Sequence, residues 1–459
     1  MTATPDAQRR IFQGPRLATG IHPHARWREL GLLVIVAATL TVGSISLGAT
    51  LRARDAEKGA GIPSGAFVPY GVTLLAIYVA ALLVAHFAQV IAGRRSDQVL
   101  LPAVGLLGGI SLLLMERLPQ DLAGQFGGLA QTQLVWLVIA ITVITVVAIA
   151  VRSDAWLRLY KYTWAAAGIA LLLLTFVFGR DVAGARLTLD LGPLSGQPSE
   201  LLKVILVVFL AGYLSENRAL LVEQSTRIGP IRLPPLPYLA PMAAMWAVAL
   251  GIVVVQRDLG AALLFFAVFL LLLYITTARA SYVAIGLVLF VAGSALMYRL
   301  FGHVQQRVDI WLDPYADPSG AGYQVIQALY AFARGGILGT GLGNGLPTVG
   351  GRLPIPEIHT DFPFAALGEE LGLVGILAIL GLYLVVIVRG LRIAASAADD
   401  FRALLAAGLS LVVGVQAFII AGGNLKLIPL TGITLPFISY GGSSLLANAL
   451  VIGLLLALS

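Results

Sequence analysis

Long apolar runs separated by short polar segments dominate this chain. A helix of about 20 apolar residues crosses the roughly 30 Å hydrocarbon core of a bilayer. Runs of about this kind lie at 29–50, 69–92, 99–116, 132–151, 162–179, 200–214, 238–255, 260–277, 281–300, 363–388, 403–423 and 440–458. The pattern predicts an all-α polytopic membrane protein with about twelve transmembrane helices, of which the run at 200–214 is unusually short.

One polar interruption is much longer than the others. It extends over about 301–362 and contains Asp313 and Asp317, each followed by proline, and then a glycine-rich stretch. Loops longer than about 12–15 residues are usually functional when they occur in compact proteins. Between residues 323 and 333 the apolar positions recur with a helical period, which predicts an amphipathic helix at the membrane interface. We expect the chemistry of the protein in this loop.

Composition and charge agree with a membrane protein. The chain is 58% hydrophobic and 12% charged, whereas soluble domains carry about 25% charged residues. It has no cysteine, which excludes disulfide and thiolate chemistry. More than half of the 30 Lys and Arg residues lie in the N-terminal tail and on alternate short loops, and this bias places the tail and those loops inside the cell. Both termini are then cytoplasmic, with 1–28 as a tail and 301–362 outside, and we expect no nucleic-acid partner for the net charge of +7.

Charged residues in or beside the spans are the next informative group, because one charge at a helix centre costs about 2.5–3.5 kcal/mol. Glu200 and Lys203 lie three residues apart on one helix face, just after Gln197. They form either a buried ion pair that fixes helix packing or a site at which Lys203 binds an anionic group. Between two other spans, Asp258 is typical of a helix N-cap, and Arg257 is a weaker candidate for a phosphate contact.

The loop residues do not identify a reaction by themselves. Asp-Pro is common turn chemistry, so neither Asp313 nor Asp317 is distinguished by it. The glycines of 339–345 are not preceded by a strand or followed by a lysine, which excludes a nucleotide-binding loop. Glu357, His359 and Asp361 provide one imidazole and two carboxylates, a weak signal for zinc, and we predict no metal site.

A set of motifs occurs in the order found in one known family. They are Gln197-Pro-Ser-Glu200 with Lys203; Gln256-x-Asp258-Leu-Gly260; Asp317-Pro-x-Gly-x-Gly322-Tyr323-Gln324; Pro356-Glu357-x-His359-Thr-Asp361-Phe362; Gly368-Glu-Glu-Leu-Gly372; and Pro429-Leu-Thr-Gly432 with Leu435-Pro-Phe-Ile-Ser-Tyr-Gly-Gly-Ser-Ser444. On these motifs the chain resembles the SEDS family (shape, elongation, division and sporulation) over about 99–459. Two additional helices within 29–98 precede this core, a pattern similar to longer RodA-like members.

The resemblance implies a ten-helix core and a peptidoglycan glycosyltransferase that polymerises lipid II outside the cytoplasmic membrane, in elongation rather than division. Asp317 matches the essential acidic residue of the family and is the expected general base. The expected substrate contacts are Gln197, Glu200, Lys203, Arg257, Asp258, Gln324, His359, Asp361 and Ser439. The chain departs from the family pattern where Arg257 replaces a usual proline, Pro363 a usual isoleucine and Leu187 an expected tryptophan.

The resemblance also implies a partner, a class B penicillin-binding protein with transpeptidase activity. No cofactor is required by the motifs, although a divalent cation, Mg²⁺ or Mn²⁺, remains an open alternative. Two other functions stay open: a flippase that moves lipid II across the bilayer, and a non-catalytic scaffold for a penicillin-binding protein. Transporters concentrate polar groups near the bilayer midplane, whereas here they gather in an outer loop, which favours the enzyme.

Overall fold

Helices make up most of the part of the chain that this computed structural model describes. The described residues are 24–57, 71–122, 125–182, 185–191, 194–223, 226–228, 231–233, 247, 251, 258–345 and 353–459. The helices are α1 (Trp27–Glu57), α2 (Val72–Ile91), α3 (Leu100–Arg117), α4 (Leu129–Ala150), α5 (Ala155–Leu159), α6 (Lys161–Phe178), α7 (Pro198–Glu223), α8 (Leu259–Thr277), α9 (Ala280–Leu300), α10 (Gly302–Leu312), α11 (Tyr323–Gly335), α12 (Pro363–Ala395), α13 (Asp400–Asn424) and α14 (Gly442–Leu458).

Short strands and turns connect some of the helices. Three antiparallel strands between α6 and α7 form one small sheet in the order β1-β2-β3, and two form a hairpin after α7. The strands are β1 (Arg180–Val182), β2 (Ala185–Leu191), β3 (Leu194–Gly196), β4 (Thr226–Ile228) and β5 (Ile231–Leu233). Single turns of 3₁₀ helix lie at Gln120–Leu122 and Pro314–Ala316. These strands were not expected from the apolar pattern.

The predicted membrane spans correspond closely to the helices. Within the described part of the chain, 10 helices are long and apolar enough to cross a membrane, and α14 is a shorter apolar helix. Together they match every predicted span except 238–255, which lies almost entirely outside the described residues. The helical form follows because backbone N–H and C=O groups find no water in the bilayer core. The all-α membrane class is therefore confirmed, and α7 extends well beyond the predicted span at 200–214.

The centre of the bundle is α13, which packs against α7, α8, α12 and α14. Small residues allow these helices to approach closely, as they commonly do in membranes. A β-carbon on Gly408 of α13 would lie 2.6 Å from Val207 Cγ1 and 3.1 Å from Leu272 Cδ1. The side chains of α9 instead face mostly away from the described helices.

Charged side chains gather at the two ends of the bundle. At one end Arg402 pairs with Asp154 at 2.6 Å and Arg389 pairs with Asp97. These residues belong to loops that the sequence assigns to the cytoplasm. The described residues of the loop 301–362 follow or precede the other ends of these helices, at the opposite end of the bundle.

A backbone break in α12 holds the glycine-rich stretch in place. Gly372 has φ 64° and ψ −166° within the helix, a conformation that is essentially limited to glycine. The amide N–H of Leu373 donates to the carbonyl of Gly336 at 2.9 Å. The buried Glu370 carboxylate accepts from the amide of Gly343 at 3.1 Å and from Arg117 Nε at 2.7 Å. The segment from Gly336 to Gly343 therefore packs against the break in α12 and forms hydrogen bonds with the residues on either side of it.

The amphipathic helix predicted at 323–333 is present as α11, which packs against α12. Its buried residues are Val325, Ile326, Ala328, Ala331 and Gly335. The ring of Tyr330 is exposed. The small residues face α12 because they allow the two helices to approach. The ring of Phe332 also packs against α12, with its centroid 6.0 Å from that of Phe364.

Candidate active site

Two adjoining cavities lie at the end of the bundle that carries the long loop. The first, which we call the Arg307 cavity, has a volume of about 200 Å³ and is lined by Arg307, Ile310, Trp311, Ala321, Gln324, Val325, Asp361, Gly423, Lys426, Ile428, Leu430 and Gly432. The second, the Asp317 cavity, has a volume of about 330 Å³ and is lined by Gly302, Gln305, Gln306, Asp309, Ile310, Asp313, Pro314, Ala316, Asp317, Ala321 and Gly322. The two share Ile310 and Ala321 as a common wall.

Both Asp-Pro aspartates line the Asp317 cavity, and both are exposed. The carboxylate of Asp317 accepts hydrogen bonds from the amides of Gly320 at 3.0 Å and Ala321 at 2.8 Å. Asp313 accepts a single bond at Oδ1, from the amide of Tyr315 at 3.0 Å. The turn that follows Asp317 therefore fixes its carboxylate on both oxygens, with the side chain open to the cavity. Position alone does not separate the two residues.

The electrostatics of the Arg307 cavity centre on Asp361. Burial raises the pKa of the Asp361 carboxyl to about 6, the charge of Glu357 adds to the rise, and Arg307 opposes it. Burial also lowers the pKa of the Arg307 guanidinium, against the opposing effect of Asp361 and Asp258. Arg307 Nη1 donates to the carbonyls of Leu430 at 3.3 Å and Thr431 at 2.8 Å. The cavity thus combines a guanidinium held in place by backbone oxygens with a carboxyl that titrates near neutrality.

His359 and Ser439 position the segment that carries Asp361. The hydroxyl of Ser439 donates to the carbonyl of Thr360 at 2.6 Å, and the amide of Tyr440 donates to the carbonyl of His359 at 2.8 Å. Ser439 is 2% exposed, and burial lowers the pKa of His359. These contacts join the motif of His359 to the motif of Ser439, and they hold the segment that carries Asp361 in place.

Glu200 and Lys203 form the buried ion pair that the sequence allowed as one alternative. Lys203 Nζ lies 2.6 Å from Glu200 Oε2, 2.8 Å from Gln416 Oε1 and 3.1 Å from Asn448 Oδ1. An ammonium group has three donors, so all three are satisfied within the protein. Glu200 Oε1 also accepts from Thr434 Oγ1 at 3.2 Å. This network ties α7 to α13 and α14.

Gln197 and Asp258 form a second cluster close to the first. The Asp258 carboxylate accepts from Ser199 Oγ at 2.9 Å, Gln197 Nε2 at 3.2 Å and the amide of Ala261 at 3.0 Å. The last of these bonds confirms the predicted N-cap of α8. Arg257 lies outside the described residues.

The motifs missed several members of these networks. Gln416 and Asn448 are polar residues within apolar helices, which was a usable signal because such residues in spans seek partners. Lys426 lines the Arg307 cavity, yet it lies between motifs and nothing in the sequence singled it out. Within the described residues, no group of three or more His, Cys, Asp or Glu side chains lies close enough to hold a metal ion.

Comparison with known proteins finds relatives that share one functional description. The chain is 39% identical over 455 residues to the peptidoglycan glycosyltransferase RodA of Mycobacterium tuberculosis, covering 98% of this chain and 93% of that protein. It is 40% identical over 294 residues to a probable peptidoglycan glycosyltransferase FtsW of Nitrosococcus halophilus, covering 63% of this chain and 72% of that protein.

Solved structures agree with the sequence comparisons. The rod shape determining protein RodA of Thermus thermophilus is 25% identical with a TM-score of 0.54, covering 79% of this chain and 96% of that one. A chain from a study of polymerization and crosslinking by a peptidoglycan synthase complex is 27% identical with a TM-score of 0.55, covering 84% and 97%. The FtsW/RodA/SpoVE family model, described as cell cycle protein, matches residues 96–459. The chain therefore belongs to the FtsW/RodA/SpoVE family of integral membrane proteins.

Proposed function

We propose that this protein is a peptidoglycan glycosyltransferase that polymerises lipid II at the outer face of the cytoplasmic membrane, and that it acts in cell elongation. The family supports the reaction class, and similarity to RodA over nearly the full chain supports elongation. The observation that carries the assignment of the site is the pair of adjoining cavities. One presents the carboxylate of Asp317 and the other presents cationic side chains.

In this reaction a sugar hydroxyl of the acceptor attacks the anomeric carbon of a donor linked to a polyprenyl diphosphate. The new C–O bond forms as the bond from that carbon to the diphosphate oxygen breaks, and the diphosphate leaves with the electron pair. Asp317 takes the proton of the attacking hydroxyl as general base. Attack from the face opposite the leaving group inverts the anomeric configuration, so no covalent glycosyl intermediate is required.

The other site residues take different roles in this proposal. Gln324 and Asp361 line the Arg307 cavity and contact substrate directly. His359 and Ser439 position Asp361, while Gln197 and Asp258 stabilise the start of α8. All three donors of Lys203 already have acceptors within the protein, so Lys203 does not bind substrate in this proposal. Glu200 and Lys203 instead support the cavity walls through the network to α13 and α14.

The proposal includes a topology and a partner. Both termini are cytoplasmic and the two cavities face outward, where lipid II is polymerised. The grouping of the basic loops at the opposite end of the bundle supports this orientation. A class B penicillin-binding protein is the expected partner, since one structural relative comes from a peptidoglycan synthase complex.

The test uses the purified full chain with labelled lipid II, with and without a class B penicillin-binding protein. We expect glycan strands longer than the disaccharide, formed by the wild-type protein and resolved by electrophoresis. A flippase would instead move labelled lipid II across vesicle membranes and form no polymer. A protein that neither forms polymer nor moves lipid II, with or without the partner, would indicate a scaffold.

A further inference from the structure

Lys426 occupies an unusual backbone position at the edge of the Arg307 cavity. It follows the end of α13 with φ 58°, and its amide N–H donates to the carbonyl of Gly423 at 3.1 Å. The left-handed position after a helix usually holds glycine or asparagine. The β-carbon of a lysine makes this backbone conformation unfavourable, so we expect the lysine side chain to have a function at this position.

The side chain of Lys426 is held toward the cavity by α10. Its Nζ donates to the carbonyl of Leu312 at 3.3 Å, and Trp311 Nε1 donates to the carbonyl of Lys426 at 3.1 Å. Lys426 and Arg307 both line the cavity. The cavity holds these two cations and the single carboxyl of Asp361. An anionic ligand between Lys426 and Arg307 therefore relieves the repulsion between them that one carboxyl leaves.

The surroundings of Lys426 indicate that the anion is attached to a lipid. Leu425 and Leu427 on either side of it are exposed, Leu427 by 64%. They follow directly after the membrane span α13, where a lysine can place its charge at the membrane surface. Apolar side chains, including Trp311 and Ile428, complete the cavity wall. This mixture of cations and apolar surface suits an amphipathic ligand better than a free anion.

We infer that Lys426 and Arg307 bind the diphosphate of the polyprenyl-linked donor in the Arg307 cavity. This inference rests on the proposed function and adds Lys426, which no motif marks, as a substrate-binding residue. The diphosphate gains negative charge when its bond to the anomeric carbon breaks and it leaves with the electron pair. Two fixed cations next to it stabilise that charge, while Asp317 acts in the neighbouring cavity on the attacking hydroxyl.

The experiment measures binding of farnesyl diphosphate to the detergent-purified full chain by isothermal titration calorimetry. Lys426→Gln removes the charge and retains the β-carbon, so the backbone at this position is unchanged. We expect it to weaken binding by about tenfold or more, and Lys426→Arg to restore most of the affinity. Arg299→Gln is the matched control, because Arg299 is exposed at the same end of the bundle and lines neither cavity.

Two further probes separate the contribution of the diphosphate to binding from that of the lipid chain. Farnesol lacks phosphate and should bind equally to wild type and Lys426→Gln, whereas inorganic diphosphate should bind more weakly than farnesyl diphosphate. Equal loss of affinity in Lys426→Gln and Arg299→Gln, or no loss in either, would overturn the inference. Tighter binding of inorganic diphosphate would overturn its lipid part. Lipid II polymerisation by the wild-type protein tests the proposed function separately and does not depend on these results.

Discussion

Replacing Lys203 by methionine tests whether its buried network holds α7, α13 and α14 together. The lysine is 2% exposed, and its three acceptors lie at 2.6 to 3.1 Å. Methionine is similar in length but donates no hydrogen bond, so the carboxylate of Glu200, 11% exposed, loses its cationic partner. Removing one member of a buried pair destabilises a protein by about 3–5 kcal/mol, and we expect a loss of that size.

The assay is a double-mutant cycle on thermal or denaturant unfolding in detergent. Adding Glu200→Gln to Lys203→Met removes the unpaired charge, and neutral replacement of a buried pair is often close to neutral in stability. The double variant should therefore recover at least half of the loss. If the effects of the two single changes simply add in the double variant, the side chains are not coupled and the reasoning is wrong.

Three further changes test other parts of the structure. Gly372→Ala should lower the melting temperature strongly, because its β-carbon would lie 2.3 Å from the amide nitrogen of Gly339, whereas Gly381→Ala on the same helix meets nothing within 4 Å. Asp361 has a folded pKa of about 6 against 3.8, so its contribution to stability should fall by about 3 kcal/mol as pH rises from 4 through 6, and Asp361→Asn should remove that part of the pH dependence. Ser319→Cys in intact cells should react with a membrane-impermeant maleimide, and labelling only after permeabilisation would refute the topology.

The sequence predicted the helices well because a membrane span is a local property of about 20 apolar residues. The span at 200–214 was predicted too short for the same reason. The polar residues that follow Leu214 continue α7 beyond the apolar stretch, and hydropathy does not detect them. The small sheet was missed although Leu187, Leu189 and Leu191 alternate with polar residues, which is typical of a strand.

The site was less predictable because its geometry depends on contacts between distant parts of the chain. The motifs marked Glu200 and Lys203, but Gln416 and Asn448 are more than 200 residues away from Lys203 and no local pattern joins them. The break at Gly372 was also not predictable from local sequence, because it depends on the close approach of a distant segment that contains Gly336 and Gly339. The resemblance separated Asp317 from Asp313, and neither local turn chemistry nor the shared cavity does so.

The most direct test of the proposed reaction compares Asp317→Asn with Asp313→Asn in lipid II polymerisation by the purified protein. Both changes remove a carboxylate from the Asp317 cavity while keeping the size of the side chain, and melting temperatures verify that both variants fold. We expect Asp317→Asn to lose glycosyl transfer by roughly 10²–10⁴-fold, as for a missing general base, and Asp313→Asn to remain close to wild type. Equal polymerisation by the two variants, or an inactive Asp313→Asn beside an active Asp317→Asn, would contradict the assignment of Asp317 as the base.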